Sequence, residues 1–223
     1  SLEQELNWGK NLLCLHADRL ASFFKRKSRF ENLVMQGYYP EAREELNAIQ
    51  TECCFSLWGL EQEFLLQELE GGLEATKKFQ NGLSFGCSNN WMNCFASFFS
   101  LKVERNLNNS QYNQRIQKAI KRVSPEIRLY FQMHLQVETT IRKTIRWQKV
   151  LYYASNSSLI DYFLDYCKVC SYLLCLNPQP NSLTRFICQM LAELNQMFPL
   201  PVLEKMIYQG EDITLSDREK TLH

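Results

Sequence analysis

Apolar residues recur at Leu6, Leu13, Ala17, Leu20 and Phe24 with polar residues between them, close to the spacing of one helix face, which predicts a helix from Leu2 to about Phe24. The cluster Lys25-Arg26-Lys27-Ser28-Arg29 that follows is either its solvated end or part of a continuing helix. Tyr39-Pro40-Glu41-Ala42 starts another helix, with Pro at a first position and Glu41, Glu44 and Glu45 in the first turns, where the dipole favours acids. A further pattern runs from about Ser56 to Glu70, stops at Gly71-Gly72, and is followed by Leu73 to about Leu83. Gly82 to Asn90 reads as a loop, Trp91 to Leu101 as a strongly apolar helix, and Asn106 to Ser110 as a turn. Ser124-Pro125-Glu126 sets Ser at a cap and Pro at the first helical position, and the pattern predicts one long helix from there to about Tyr153. Asn156 to Ser158 breaks it. Leu159 to Leu176, Ser182 to about Met197 and Pro201 to Tyr208 complete the series, with a connection at Asn177 to Ser182.

Composition agrees with an all-α fold built as an irregular array of antiparallel helix pairs, longer in the C-terminal part. The 223 residues hold only 8 Gly and 6 Pro, and no Gly occurs from Cys87 to Gln209, a length in which β-hairpins would need several positive-φ positions. The 32 Leu stand against 7 Val and 10 Ile, the helical rather than the strand preference. A β-sandwich or barrel is excluded. The most apolar run, Ser155 to Asn177, is interrupted by Asp161, Asp165 and Lys168, so no spanning helix and no membrane partner is expected. The opening Ser-Leu-Glu-Gln-Glu-Leu lacks the basic start and apolar core of a signal peptide. The missing Met and the polar ending are compatible with a piece of a longer chain.

Nine cysteines, an odd number scattered among apolar patterns, imply free thiols in a reducing compartment, the cytoplasm or nucleus. Cys167 and Cys170, followed by Cys175, have metal-like spacing but no second pair within ligand reach, and read as buried thiols. No metal and no cofactor is expected. The net charge of +1 hides an asymmetry: residues 31–75 carry −9 and residues 102–149 carry +8. The two stretches could neutralise each other inside one molecule or face different partners. The chain divides into an acidic hairpin region at 1–86, a region with basic stripes at 87–208 packed on it as one continuous helical domain, and a polar tail at 209–223.

A period of 33 residues links parts of the acidic region. Ala42 and Leu46 recur as Ala75 and Phe79, and Gly71-Gly72 sits near where Gly37 would repeat. With Gly37 and Tyr39, these residues resemble the second half of a tetratricopeptide repeat: Gly ends one helix, the small Ala lets its neighbour approach, and Leu or Phe fills the groove between the pair. The resemblance covers residues 24–83; no third copy follows residue 86. It implies stacked helix pairs that bind a protein or peptide in a groove. Two ordinary helical hairpins of matching spacing are the other reading.

Catalytic material is sparse. Phosphate-loop, dinucleotide, His-Glu-x-x-His and Gly-x-Ser-x-Gly signatures are all missing, and three histidines leave little for acid–base or metal chemistry. Arg128 and His134 have the Arg-to-His spacing of all-helical HEPN ribonucleases, which the chain resembles in that spacing alone; Arg218 and His223 share a similar interval. On an unbroken helix six residues turn about 600°, leaving Arg128 and His134 about 120° apart, and His134 reads as a hydrogen-bonded interior histidine. Arg115, Lys118 and Arg122, with Lys121, form one basic stripe, and Arg142, Arg146 and Lys149, with Lys143, another. Such stripes can track nucleic-acid phosphates, lie solvated, or pair with the acidic faces. The sequence therefore points first to a non-catalytic interaction domain for a protein or peptide, with an RNA- or DNA-binding protein as the alternative.

Overall fold

The computed structural model describes residues 1–83, 90–104, 107–136, 145–176 and 181–220, with residue 90 and the last ten as backbone only. Among them stand eleven helices and no strand: α1 (Leu2–Leu15), α2 (Ala17–Gln36), α3 (Tyr39–Glu52), α4 (Leu57–Gly82), α5 (Asn90–Lys102), α6 (Asn109–Ala119), α7 (Pro125–Leu135), α8 (Trp147–Ser155), α9 (Leu159–Leu176), α10 (Ser182–Met197) and α11 (Pro201–Lys220). The backbone of α11 thus stays helical well into the 209–223 segment. The connections at 84–89 and 177–180, and Arg142 and Lys143 of the second basic stripe, lie outside the described residues.

Local signals explain most boundaries. Ser1 caps α1 in a capping box with Gln4, Asn108 does the same for α6 with Gln111, and the Ser124 hydroxyl accepts from Ile127 N at the start of α7. Gly37 ends α2 in the left-handed conformation at φ 81°, and its amide and that of Tyr38 bond back to carbonyls of the last turn.

Three of the pattern readings are changed by the structure. The helix expected from Leu2 to Phe24 is two, divided at His16, and the Lys25–Arg29 cluster lies inside α2. The long helix expected from Ser124 to Tyr153 stops at Leu135, where Gln136 takes φ 54° and ψ 36° and returns its amide to the Gln132 carbonyl. A non-glycine residue in the left-handed region is uncommon, so composition gives no warning of that stop. The front half holds the 20-residue α2, longer than the 18-residue α9 and the 16-residue α10, so helix length does not separate front from back. The two halves of α4 meet at Gly72, whose φ of 67° and ψ of −161° are open to glycine but strained for any L side chain.

The elements close around α9, which lies against α1, α4, α7, α8, α10 and α11. Tyr162, Phe163, Tyr166, Val169, Cys170, Leu173 and Leu174 of this helix are buried in the main core. Gly9 lets α1 approach: a Cβ there would overlap the Tyr162 hydroxyl and come within 2.9 Å of the Tyr166 ring. The Tyr166 hydroxyl donates to the Leu6 carbonyl at 3.0 Å, so its buried polar end is satisfied by the same helix. Two smaller clusters lie under α2 and α3: Phe23, Ile49 and Cys53 with Ile160 of α9, and Phe30, Ala42 and Leu46 with Leu66 of α4. The half-buried Trp58 joins them, its ring 5.1 Å from Phe23 and 5.9 Å from Phe30.

Gly9→Ala and Gly72→Ala are each expected to lower stability by about 1–3 kcal/mol, the first through overpacking and the second through backbone strain. Gly82→Ala, with nothing within 4 Å of the new methyl and no positive φ, is the near-neutral control. Urea unfolding midpoints measure all three; equal midpoints for Gly72→Ala and Gly82→Ala would remove the strain argument.

Candidate functional site

The first amides of a helix have no partner within it. In α4, Ser56 supplies one solution, its hydroxyl accepting from Gly59 N at 2.9 Å. The amides of Leu57 and Trp58 are taken by a residue 104 and 103 positions away: Leu57 N donates to Asp161 Oδ2 at 2.7 Å and Trp58 N to Oδ1 at 3.1 Å. Asp161 itself stands in the first turn of α9, where Ser158 Oγ accepts from the Asp161 amide at 3.1 Å and donates to Oδ2 at 2.9 Å. Two helix N-termini therefore converge on one carboxylate that is 2% exposed. Burial pushes the Asp161 carboxyl above its ordinary range, opposed by His134, the two amides and the Ser158 hydroxyl.

Asp161 belongs to the wall of a pocket of about 620 Å³ between the start of α4, α5, α7, α8 and the α8–α9 turn. Its walls are aromatic. Trp91 stacks on Phe131 at 5.2 Å and Phe131 on Phe95 at 4.5 Å, while Tyr130, Tyr152 and Tyr153 supply further rings. Phe55, Trp91 and Tyr152 are exposed at its rim. Ser56, Ser157, Ser158 and Asn156 add neutral polar groups, and Asp161 is the one charged residue among the described residues that line it.

Directly behind Tyr130 lies a buried pair. His134 Nε2 is 2.9 Å from Asp165 Oδ2, and both residues are inaccessible or nearly so. The Phe95 and Tyr130 rings meet the imidazole edge-on at 5.4 and 4.7 Å. Asp165 Oδ1 has no hydrogen-bond partner among the described residues. Desolvation also drives the Tyr130 hydroxyl far above its usual pKa, with Asp165 and Asp161 adding to the effect, so this phenol stays protonated.

The residues singled out in the sequence are not gathered in this pocket. His134 is interior, as its apolar neighbours imply. Arg128 does not join it: its guanidinium donates to the Lys121 carbonyl at 2.7 Å and to that of Val123, closing the α6–α7 turn. Arg115, Lys118, Lys121 and Arg122 are exposed along α6 and its end, with no ion pair to any described residue. In the second stripe, Arg146 is held by buried Glu126 at 2.9 Å, and Lys149 is exposed. The acidic front pairs elsewhere: Arg26 with Glu45 and Glu52, Arg43 with Glu63 and Glu70, and Lys102 with Glu61. Neutralisation of the front by the α6 stripe is therefore not the arrangement found among the described residues, because cations on α2, α3 and α5 lie closer to those acids.

Ala42 and Leu46 are fully buried, Tyr39 packs against them, and Phe79 sits 5.0 Å from Phe64. Ala75 is half-buried beside Gly71. Cys167 and Cys170 lie in the core, where burial pushes the Cys167 thiol up to about 12 and that of Cys170 well above its usual value. Among the described residues no three His, Cys, Asp or Glu side chains are placed to hold a metal, and no helix is long and apolar enough to cross a membrane. No family model, curated protein or solved structure matches the chain.

The pattern reading passes over Asp161 and Asp165 as functional residues. Their signal is the charge inside an apolar helical run, where an acid must have a partner, together with Ser158 three residues before Asp161 in capping position. His134→Ala strands Asp165 in the core and is expected to cost about 3–5 kcal/mol. Asp161→Ala orphans two amides at about 1–3 kcal/mol each, whereas Tyr152→Ala at the exposed rim should shift stability by under ~0.5 kcal/mol. Urea unfolding of the three variants is the measurement; a wild-type midpoint for His134→Ala would show that the imidazole does not support the buried carboxylate.

Proposed function

We propose that the chain is a non-catalytic interaction module that receives an anchor group of a protein or peptide partner in the groove between its helices. The observation that carries this reading is the 620 Å³ aromatic pocket, open to solvent at Phe55, Trp91 and Tyr152. Its size and lining suit a preformed binding site, with a few polar groups to orient the occupant. Histidine and cysteine are not among the described lining residues, and Asp161 is committed to two helix ends, which favours binding over catalysis. The α2–α3 hairpin closed at Gly37, followed by α4 divided at Gly72, is compatible with a tetratricopeptide-like pair in the front half. A second reading, nucleic-acid binding, draws on the unpaired cations along α6; it has no support from an Arg128–His134 centre, since those two side chains are engaged separately.

One experiment separates the readings. Selection from a displayed peptide library should yield ligands with a shared anchor, weakened at least fivefold by Tyr152→Ala and unaffected by Lys118→Glu combined with Arg122→Glu. Failure of Tyr152→Ala to weaken any selected peptide would overturn the groove reading. Single-stranded RNA retention that falls with salt and is lost in the double charge variant would replace it with the nucleic-acid reading.

A further inference from the structure

Hydrogen-bond accounting at Asp161 narrows what the anchor can be. A carboxylate's two oxygens offer about four acceptor sites. Oδ2 takes two donors, Leu57 N and Ser158 Oγ, while Oδ1 takes one, Trp58 N. Among the described residues no further donor reaches it, so one acceptor site is left on the one charged side chain that lines the pocket.

A single open acceptor calls for a single point donor. A guanidinium prefers to bind a carboxylate through two parallel bonds, one to each oxygen, and Oδ2 is already filled. An ammonium needs only one site and is compact. Trp91, Phe95, Tyr130 and Tyr153 line the same pocket as Asp161, and their rings can bury an aliphatic stem while the charged end reaches the carboxylate. The pocket has the volume of a drug-sized ligand, so it can hold such a stem together with an apolar neighbour.

From these observations, and resting on the groove reading above, we infer that the anchor is a lysine side chain followed by an apolar residue, its unmodified ammonium donating to Asp161. The occupant is a peptide segment of a partner protein. Methylation to the quaternary state removes every N–H donor and destroys the match, which distinguishes this site from an aromatic cage that binds a cation by its charge alone.

The test uses four blocked tetrapeptides, acetyl-Gly-X-Leu-Gly-amide, in which X is lysine, norleucine, arginine or trimethyl-lysine. They are titrated into the ¹⁵N-labelled full chain while the amides of Leu57 and Trp58 and the Trp91 indole are followed. Lysine should bind at least tenfold more tightly than each of the others, and Asp161→Asn should erase that preference. Equal affinity for lysine and norleucine would overturn the ammonium assignment while leaving the groove reading standing. Tightest binding of trimethyl-lysine or arginine would overturn it too, and absence of shifts with all four, together with failure of the peptide selection, would sink both. Should Asp161→Asn unfold, the ranking of the four peptides on the wild-type chain decides the matter.

Discussion

The Asp161 carboxylate lies where the N-termini of α4 and α9 meet, accepting the Leu57 and Trp58 amides on one side and bonded to its own capping Ser158 on the other. A charge this deep in a protein costs several kcal/mol unless its hydrogen bonds are made, and here three donors and two helix dipoles meet that demand. Because two of those donors, the Leu57 and Trp58 amides, lie 104 and 103 positions away in the chain, the same bonds tie the front of the molecule to its back. Beside this junction Trp58 packs against Phe23 and Phe30, and Ile160 of α9 joins Phe23, Ile49 and Cys53 in one of the minor clusters.

The pocket follows from that junction. Its floor is the pair of helix starts, and its walls are aromatic residues of α5, α7 and α8, of which Phe95 and Tyr130 also belong to the main core. Electrostatics divides the surface differently. Acids of the front pair with Arg26, Arg43 and Lys102, whereas the α6 cations stay in solvent. Pairing at partly exposed positions contributes little to stability, and its main effect is to hold register between neighbouring helices.

Much of the architecture was legible in the sequence. The scarcity of Gly and Pro and the Leu-rich composition marked an all-helical chain, and Tyr39-Pro40, Gly71-Gly72, Ser124-Pro125 and Asn156 to Ser158 marked boundaries that the structure keeps, because capping is a local matter. The stop at Gln136 was not legible: it depends on a side chain that tolerates the left-handed region only in its tertiary setting. The pocket was less legible still. Trp91 and Phe95 looked like ordinary core residues, and Asp161 like a mere interruption of an apolar run, since the donors that justify a buried acid belong to a distant helix. The Arg128–His134 spacing fits two unrelated tasks, closing a turn and supporting Asp165.

The most direct measurement of this account is amide hydrogen exchange at Leu57 and Trp58. First-turn amides of a helix ordinarily exchange quickly, because nothing within the helix holds them. If Asp161 organises the molecule, both amides exchange as slowly as those in the middle of α4, and both lose that protection in Asp161→Asn. Fast exchange of the two amides in the wild-type protein, beside slow exchange at Phe64, would contradict it.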